Sequence, residues 1–308
     1  MSNQEIRKPL VTVCIITYNS SEFIIEALDS VFDQTYQNIE LIVSDDCSQD
    51  NTVELCRQWM DTHAQRFVHA EVLTVEKNTG VSANCNRAIR KGTGVYIKYF
   101  AGDDRLLPNC IEDNVRYMRE HEDTDLLFSD MQVIGQGQVG KNIISPSVYF
   151  NHFTKFEFKF MQLVRSLLPA PSCFMTRDVY DRLGGYDESI PMMEDKPFWV
   201  KATFANCNIQ YLSKTTVQYR VNPNSLSQSK DSPNYRKLYE SRRVASIYHL
   251  SKMKEINWLL WVYGKSLYAI QFDHSIKNKV LYALRYLNVY HYYFNYLIIK
   301  YRICSLIK

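Results

Sequence analysis

Hydrophobic positions in the first 120 residues follow two alternating patterns. Continuous apolar runs, such as residues 11–17, are typical of strands that are covered on both faces of a parallel sheet. Each run is followed by a segment in which apolar residues recur every three or four positions, as at Ile24, Leu28 and Val31. Strands and helices that alternate in this way predict a doubly wound, mostly parallel α/β sheet with right-handed crossovers. The predicted strands cover residues 11–17, 39–44, 68–75 and 95–100, and the later predicted helices cover residues 52–60, 81–90 and 108–119.

Polar side chains follow all four of these predicted strands. They are Thr17, Tyr18 and Asn19 after the first strand, Asp45 and Asp46 after the second, Asn78, Thr79 and Gly80 after the third, and Asp103 and Asp104 after the fourth. Because the carboxyl ends of parallel strands meet at one edge of a sheet, we expect a single ligand-binding crevice there. Two carboxylates at such an edge suit a hard cation that bridges to a phosphate. A solvated acidic turn before Pro108 is the other interpretation of Asp103 and Asp104.

After residue 125 the alternation of strands and helices becomes less regular. Strands are predicted over residues 126–134 and 172–176, and helices over residues 153–168 and from residue 177. Glu194 and Asp195 open a further helix, where the helix dipole favours acidic residues and where one of them can serve as a general base. Arg220 follows the last predicted strand and is a candidate cation for a diphosphate. Ser20 or Ser21 is expected to cap the first helix of the chain.

One glycine-rich segment matches the residue spacing of a dinucleotide-binding motif but not its structural context. Gly135 to Gly140 has the spacing G-x-G-x-x-G and follows a predicted strand. That motif requires a helix to begin within it, so that backbone N–H groups meet the pyrophosphate. Residues 141–146 show no helical periodicity and end in a proline, which favours a connecting segment over a dinucleotide site.

The last 67 residues differ in charge from the rest of the chain. Residues 242–308 contain eleven Lys and Arg but only two acidic residues, about +9, whereas the remainder sums to about −6. Tyr286, Tyr290 and Tyr293 fall at helical spacing between these cations, which predicts a basic, tyrosine-rich helical extension. Two interpretations stay open: a helix at an anionic membrane surface, or a packed helical cap with a basic rim. Nucleic acid is not expected as a partner, because no nucleic-acid-reading motif accompanies the cations.

Cellular location is indicated by three further features. Residues 1–8 lack the basic and apolar regions of a secretory signal, so we expect a cytoplasmic protein. The eight cysteines include no C-x-x-C pair and are expected to be reduced. No apolar stretch approaches the roughly 18 residues of a membrane-spanning helix. The sequence carries no signal for an oligomeric state.

An ordered set of short motifs spans residues 9–228. It consists of Thr17-Tyr18-Asn19, Asp45-Asp46-x-Ser48-x-Asp50-x-Thr52, Asn78-x-Gly80, Gly102-Asp103-Asp104, Gly184-Gly185-Tyr186-Asp187-Glu188 and Glu194-Asp195. The set resembles the family-two inverting glycosyltransferases with the GT-A fold. That resemblance implies a nucleotide-sugar donor, usually a UDP-sugar. It further implies a GT-A domain over residues 1–240, with a nucleotide-sugar half (9–125) and an acceptor half (126–240), before the extension at 241–308.

The resemblance also implies a role for each matching residue. Asp195 would be the catalytic base, and Asp104 with Asp103 would hold Mn²⁺ or Mg²⁺ on the diphosphate. The donor-binding residues implied in addition to Asp103 are Thr17, Tyr18, Asn19, Asp45, Asn78 and Arg220, with Asp45 on the base. The segment Ala101-Gly102-Asp103-Asp104 departs from the family's Asp-x-Asp, so that Asp104 is expected to be the surer metal ligand and Asp103 a supporting one.

Two further residues depart from the family's pattern. Cys85 stands where many relatives have Arg, and Asn222 stands where many have His. The segments around Cys85 and Gly102 resemble those of bacterial O-antigen and polysaccharide transferases. That likeness implies UDP-glucose as donor and a β-1,3 link to GlcNAc-diphosphate-undecaprenol at the inner face of the cytoplasmic membrane. A nucleotidyltransferase that releases pyrophosphate, or a catalytically silent sugar- or nucleotide-binding relative, is the other class of function.

Overall fold

Nine strands in the described part of the chain form one sheet. The structure is a computed structural model that describes residues 8–135, 143–165, 167–221, 235–272 and 288–306. The strands are β1 (Val11–Thr17), β2 (Ile39–Asp45), β3 (His69–Leu73), β4 (Tyr96–Ala101), β5 (Arg105–Leu106), β6 (Leu126–Ile134), β7 (Ile143–Ile144), β8 (Phe174–Thr176) and β9 (Ile209–Arg220). Their order in the sheet is β3-β2-β1-β4-β8-β6-β9-β5, with β7 against β6.

The helices cover both faces of this sheet and extend beyond it at the C-terminal side. They are α1 (Ile24–Phe32), α2 (Thr52–His63), α3 (Val81–Lys91), α4 (Cys110–Glu120), α5 (Ser147–His152), α6 (Lys155–Val164), α7 (Arg177–Arg182), α8 (Asp195–Phe204), α9 (Tyr235–Ile256), α10 (Trp258–Phe272) and α11 (Val289–Leu306). The prediction of a mostly parallel α/β sheet with a helical extension is confirmed.

The long strands of the first half pair in parallel, as their apolar runs predict. Strand β1 lies between β2 and β4, and every residue of β1 and β2 is buried. In this register Thr17 is paired with Asp45, and Ile16 is paired with Ala101. The loops that follow these three strands therefore begin side by side at one edge of the sheet.

The second half of the sheet is mixed. Strand β8 is antiparallel to both β4 and β6, whereas β9 runs parallel to β6. The pairing of β6 with β9 shifts register on both sides of Asp130, and the end of β9 continues against β5. This extension places Arg220, the last residue of β9, beside the turn that connects β4 to β5.

Two predicted helix boundaries were wrong. Neither Ser20 nor Ser21 caps α1, which begins at Ile24 without a side-chain cap. The helix predicted over residues 153–168 is the shorter α6, which begins after the capping box of Thr154 and Glu157 and ends at Val164. The glycine motif that begins at Gly135 continues into residues 136–140, which lie outside the described residues, as does Asn222.

Helices α9 to α11 belong to the main core of the molecule. Leu250, Met253 and Leu297 lie in the same buried cluster as Cys14 of β1. Lys300 Nζ donates to both carboxylate oxygens of Glu157, at 2.9 and 3.0 Å. The predicted boundary at residue 240 falls inside α9, and a separable extension stays a prediction. In the described residues, no helix combines the length and the hydropathy needed to cross a membrane.

At the amino-terminal ends of β1 and β2, a buried carboxylate connects these two strands to the loop before β4. Glu40 is 3 % exposed and accepts hydrogen bonds from Thr12 Oγ1 (2.5 Å), Gly94 N (2.6 Å) and Thr93 Oγ1 (3.1 Å). Burial alone raises the pKa of Glu40, but these hydrogen bonds outweigh burial and lower the pKa below its usual value.

We expect Glu40→Gln to lower the free energy of unfolding at pH 7 by about 2–3 kcal/mol, because buried N–H and O–H donors lose a charged acceptor. A carboxylate with a lowered folded-state pKa stabilises the fold above its unfolded pKa and stops doing so as the pH falls through the folded one. The difference from wild type should therefore shrink below about pH 4, as measured by urea unfolding. Glu54→Gln, on the exposed side of α2, is the control and should change stability by less than about 0.5 kcal/mol. Equal losses in the two variants would contradict the assignment.

Candidate active site

The ends of β1 and β2 are joined through Asp45. Thr17 Oγ1 donates to Asp45 Oδ2 at 2.8 Å, and Ser48 donates to the same carboxylate through its N–H (2.8 Å) and its hydroxyl (2.5 Å). Asp45 is 1 % exposed. Its carboxylate therefore has a fixed orientation before any ligand binds, which suits recognition of a base or ribose.

The loop after β1 exposes one aromatic side chain. Tyr18 is 41 % exposed. Asn19 has a positive φ of 52° and its Oδ1 accepts from Gln49 N at 2.7 Å, while its own N–H donates to Ser48 Oγ. Of these two predicted donor-binding residues, Tyr18 is presented to solvent and the side chain of Asn19 holds the loop that follows β2.

Asp46 organises the loop before α3, a role that the sequence did not indicate. Its carboxylate accepts from Thr79 N (2.9 Å), Gly80 N (2.7 Å) and Arg87 Nη2 (3.2 Å). Asn78 Nδ2 donates to the Asp46 carbonyl at 3.2 Å. The predicted donor-binding residue Asn78 is thus held by Asp46, although it is exposed.

The same loop contacts the segment that leads to Asp195. Gly80 has a φ of +91°, and a Cβ atom there would lie 2.5 Å from the Pro191 carbonyl oxygen. Ser82 Oγ donates to the Ile190 carbonyl at 2.6 Å. Gly80 is therefore required both by its backbone conformation and by this close approach.

The turn after β4 contains two carboxylates in different surroundings. Asp104 is 1 % exposed, and its Oδ1 accepts from Arg220 N at 2.8 Å. Asp103 is half-buried, and its carboxylate accepts no hydrogen bond from another residue in the described part of the chain. Burial raises the pKa of both groups, and the charge on Asp103 raises that of Asp104 further. Asp103 therefore offers the more accessible oxygens, the reverse of the ranking expected from the sequence.

The guanidinium of Arg220 is held by hydrogen bonds and a ring contact within the protein. Its Nε donates to the Asp103 carbonyl at 2.9 Å, its Nη2 donates to Glu26 at 2.7 Å, and it stacks over Phe23 at 4.2 Å from the ring centroid. Arg105 donates to the same carboxylate of Glu26 at 3.0 Å. Arg220 thus holds the turn after β4 against α1, and its predicted contact with a diphosphate stays a prediction.

Glu194 and Asp195 form the start of α8. Burial, and then the charge on Asp195, raise the pKa of Glu194 to about 8, and burial also raises the pKa of Asp195. Burial, and then the charge of Glu194, raise the pKa of Tyr99 on β4, the strand that the Asp103–Asp104 turn follows. A carboxylate with a raised pKa is a stronger base than an ordinary surface carboxylate.

The described residues contain no group of three or more His, Cys, Asp or Glu that could hold a metal ion. Asp103 and Asp104 supply hard oxygen ligands at one point, and Asp103 is accessible. These residues fit a Mg²⁺ or Mn²⁺ ion that takes its other ligands from a diphosphate and water, as Mg²⁺ usually does at nucleotide sites.

The family model of glycosyl transferase family 2 matches residues 12–184, which is more than half of the chain. The chain belongs to glycosyl transferase family 2. This match includes the predicted residues from Thr17 to Asp104. Asp195 and Arg220 lie beyond it.

Curated relatives of this family member are themselves described as glycosyltransferases. An uncharacterised glycosyltransferase of Methanocaldococcus jannaschii is 28% identical over 220 residues, covering 70% of this chain and 72% of that protein. An uncharacterised glycosyltransferase of Rickettsia prowazekii is 26% identical over 199 residues, covering 64% of this chain and 60% of that protein. The names of both relatives agree with the family assignment.

Solved structures confirm the GT-A fold. S. aureus TarS (residues 1–349), in complex with UDP-GlcNAc, superposes with a TM-score of 0.63 at 20% identity, covering 96% of this chain and 90% of that one. The mannosyltransferase PcManGT from Pyrobaculum calidifontis, in complex with GDP-Man and Mn²⁺, superposes with a TM-score of 0.55 at 14% identity, covering 98% and 87%. At these identities the likeness establishes the fold.

The raised pKa of Glu194 predicts how the free energy of unfolding changes with pH. An acid that binds its proton more tightly in the folded state than in the unfolded state makes the fold less stable as the pH rises between the two pKa values. We therefore expect wild type to lose stability relative to Glu194→Gln between about pH 5 and pH 8, measured by urea unfolding across that range. Glu188→Gln, an exposed neighbour, is the control. Parallel pH profiles for wild type and Glu194→Gln would contradict the raised pKa.

Proposed function

We propose that this protein is an inverting hexosyltransferase that uses a UDP-sugar. The main support is that Asp45 and Asp103 follow β2 and β4, the two strands that flank β1, and that the start of α3 contacts the segment that leads to Asp195. The likeness to TarS in complex with UDP-GlcNAc supports a uridine donor. Within this class we propose UDP-glucose.

The proposed reaction is a single displacement. The carboxylate of Asp195 takes the proton of an acceptor hydroxyl, and that oxygen forms a bond to the anomeric carbon of the donor sugar. The bond between the anomeric carbon and the diphosphate oxygen breaks at the same time, and its electron pair leaves with UDP. Attack from the side opposite to the leaving group inverts the anomeric configuration.

The donor would be held by residues of the first half. Asp45, oriented by Thr17, would accept hydrogen bonds from the base or ribose, and Tyr18 would lie against the base. Asp103, with Asp104 as its supporting neighbour, would hold Mn²⁺ or Mg²⁺. A bound cation there supplies positive charge that stabilises the leaving diphosphate. Arg220 would act by positioning the Asp103–Asp104 turn through its contacts with Asp103 and Glu26.

The acceptor is proposed to be a sugar linked to a lipid diphosphate. The specific proposal is a β-1,3 link to GlcNAc-diphosphate-undecaprenol, in O-antigen or lipopolysaccharide biosynthesis at the cytoplasmic face of the membrane. Support comes from an exposed face of the last helices, which we call the aromatic face. Its residues are Trp258, Leu259, Val289, Tyr292, Tyr296 and Ile299. Trp and Tyr at the rim of an apolar surface, in a basic region, suit a membrane interface.

Substitution of the base tests the reaction. Asp195→Asn should lower kcat by about 10²- to 10⁴-fold with little change in the KM for the UDP-sugar, because proton transfer is lost and donor binding is retained. Release of UDP from a panel of UDP-sugars, with a GlcNAc-diphosphate-lipid as acceptor, is the measurement. Asp178→Asn on α7 is the control and should behave as wild type. Unchanged turnover in Asp195→Asn would contradict the role of the base, and pyrophosphate release in place of UDP would indicate a nucleotidyltransferase.

Removal of the metal tests the Asp103 assignment. Activity should be lost in excess EDTA and return with Mn²⁺ or Mg²⁺. Asp103→Asn should raise the Mn²⁺ concentration for half-maximal activity by at least about tenfold, since one carboxylate ligand is lost. Asp61→Asn, exposed on α2, is the control. The same Mn²⁺ dependence in Asp103→Asn and wild type would contradict the assignment.

Flotation with lipid vesicles tests the aromatic face. Wild type should float with vesicles that contain anionic lipid, and Tyr292→Glu with Ile299→Glu should reduce the floated fraction at least about fivefold, because two charges oppose burial in the interface. Ser251→Glu, exposed on α9, is the control. Equal flotation of the wild type and the double variant would contradict membrane association through this face.

A further inference from the structure

Three nitrogen-bearing side chains lie on α8 and α9, two helices that pack together, and the hydrogen bond from Met192 N to Ser241 Oγ at 3.2 Å joins the segment before α8 to α9 near Arg242. Lys196 is the second residue of α8, directly after Asp195, and Arg242 and His249 lie on α9. Lys196 and Arg242 are half-buried, and His249 is only 4 % exposed. We call these three residues the α8–α9 nitrogen cluster.

In the described part of the chain, none of the three side chains makes a hydrogen bond or a salt bridge. His249 Nε2 is buried without a hydrogen bond. Neighbouring cations differ, since Arg243 donates to Glu240 at 2.9 Å and Lys252 donates to Glu255 at 2.8 Å. Burying polar nitrogen atoms without partners is costly, and nearly all such groups in folded proteins are paired. An arrangement of this kind is expected where a ligand supplies the missing acceptors.

The electrostatics of the cluster select an anion. Burial, opposed by Asp195 and reinforced by the charge on Arg242, lowers the pKa of Lys196 to about 8. Burial, and then the charge on Lys196, lower the pKa of His249 to about 3. At neutral pH the cluster therefore contains two cationic side chains and a neutral imidazole that can donate one N–H. Asp195 is the carboxylate next to it in the chain.

We propose that the α8–α9 nitrogen cluster binds a phosphate group carried by the acceptor. This inference rests on the proposed function, because it takes Asp195 as the base that receives the proton of the acceptor hydroxyl. The donor diphosphate is assigned to Asp103 and Asp104 on the turn after β4, so an anion site beside Asp195 belongs to the other substrate. A charged ligand that brings three acceptor oxygens satisfies Arg242, Lys196 and His249 together.

The cluster thus specifies a phosphorylated acceptor, in which the attacking hydroxyl and the phosphate belong to one molecule. Binding energy from the phosphate, which takes no part in the reaction, positions the hydroxyl against Asp195. A neutral sugar of the same structure lacks this anchor and is expected to be a poorer acceptor.

The kinetic test compares two acceptors that share one sugar. One is a GlcNAc-diphosphate-lipid and the other is an alkyl GlcNAc glycoside of similar length. Wild type should show a kcat/KM at least about tenfold higher for the diphosphate acceptor, the range expected for loss of charge-assisted hydrogen bonds. Arg242→Gln and Lys196→Gln should each narrow that ratio severalfold. Arg243→Gln, at the adjacent position on α9, should leave the ratio unchanged.

The ratio of kcat/KM for the two acceptors distinguishes phosphate binding from a structural role. A variant that only disturbed the fold would lower kcat/KM for both acceptors and leave their ratio unchanged. Equal kcat/KM for the two acceptors in wild type would overturn the anion site while leaving the transferase intact. Stimulation of transfer to the neutral acceptor by added inorganic phosphate, in wild type but not in Arg242→Gln, would support the anion site, because the free anion would occupy the subsite that the neutral acceptor leaves empty. No UDP release with either acceptor would contradict the proposed function together with the site.

A binding test requires no turnover. Methyl phosphate is titrated by calorimetry into enzyme that is already saturated with UDP and Mg²⁺, so that the donor site is occupied. Wild type and Arg243→Gln should bind it with the same affinity, and Arg242→Gln should bind it at least about tenfold more weakly. Absence of binding to wild type, or equal binding to Arg242→Gln, would overturn the anion site irrespective of the outcome with UDP-sugars.

Discussion

The hydrogen bond from the backbone N–H of Arg220 to the buried carboxylate of Asp104 connects the two halves of the sheet at the active-site edge. Asp104 ends the first, parallel half, and Arg220 ends the last strand of the mixed half. A buried carboxylate without a partner would be strongly destabilising. The position of β9 therefore determines the position of the turn that presents Asp103, and the same arginine returns through its side chain to the Asp103 carbonyl and to α1.

Several ionisable side chains around this edge of the sheet have pKa values that differ from their usual ones. Lys98 of β4 is fully buried and donates to the Pro171 carbonyl at 2.6 Å, and its charge opposes the rise in the pKa of Asp104. Glu194, whose pKa burial raises to about 8, directly precedes Asp195 in the chain. Perturbed pKa values of this kind concentrate at functional sites, where burial strengthens every electrostatic interaction with a charged ligand.

Sequence patterns correctly predicted those strands that are determined by residues close together in the chain. The apolar runs of β1 and β6 match the structure residue for residue, and the convergence of strand ends followed from parallel pairing. The roles of Asp46 and Arg220 were not predictable, because their partners lie between 32 and 197 positions away in the chain. Local signals were also overlooked: Thr154-x-x-Glu157 is a readable capping box, and it divides α5 from α6. The serine cap expected for α1 failed because Ser20 instead offers its carbonyl to Phe23 and Ile24.

The buried cluster that joins Cys14 of β1 to Leu297 of α11 has a consequence for biosynthesis. The ribosome makes β1 more than 250 residues before α11, so the nascent chain exposes part of this cluster until α11 has been made. Domains generally fold as units, and incompletely packed intermediates expose apolar surface that promotes aggregation. The first half can form its sheet early, but the second half acquires its final packing only after α11 has left the exit tunnel.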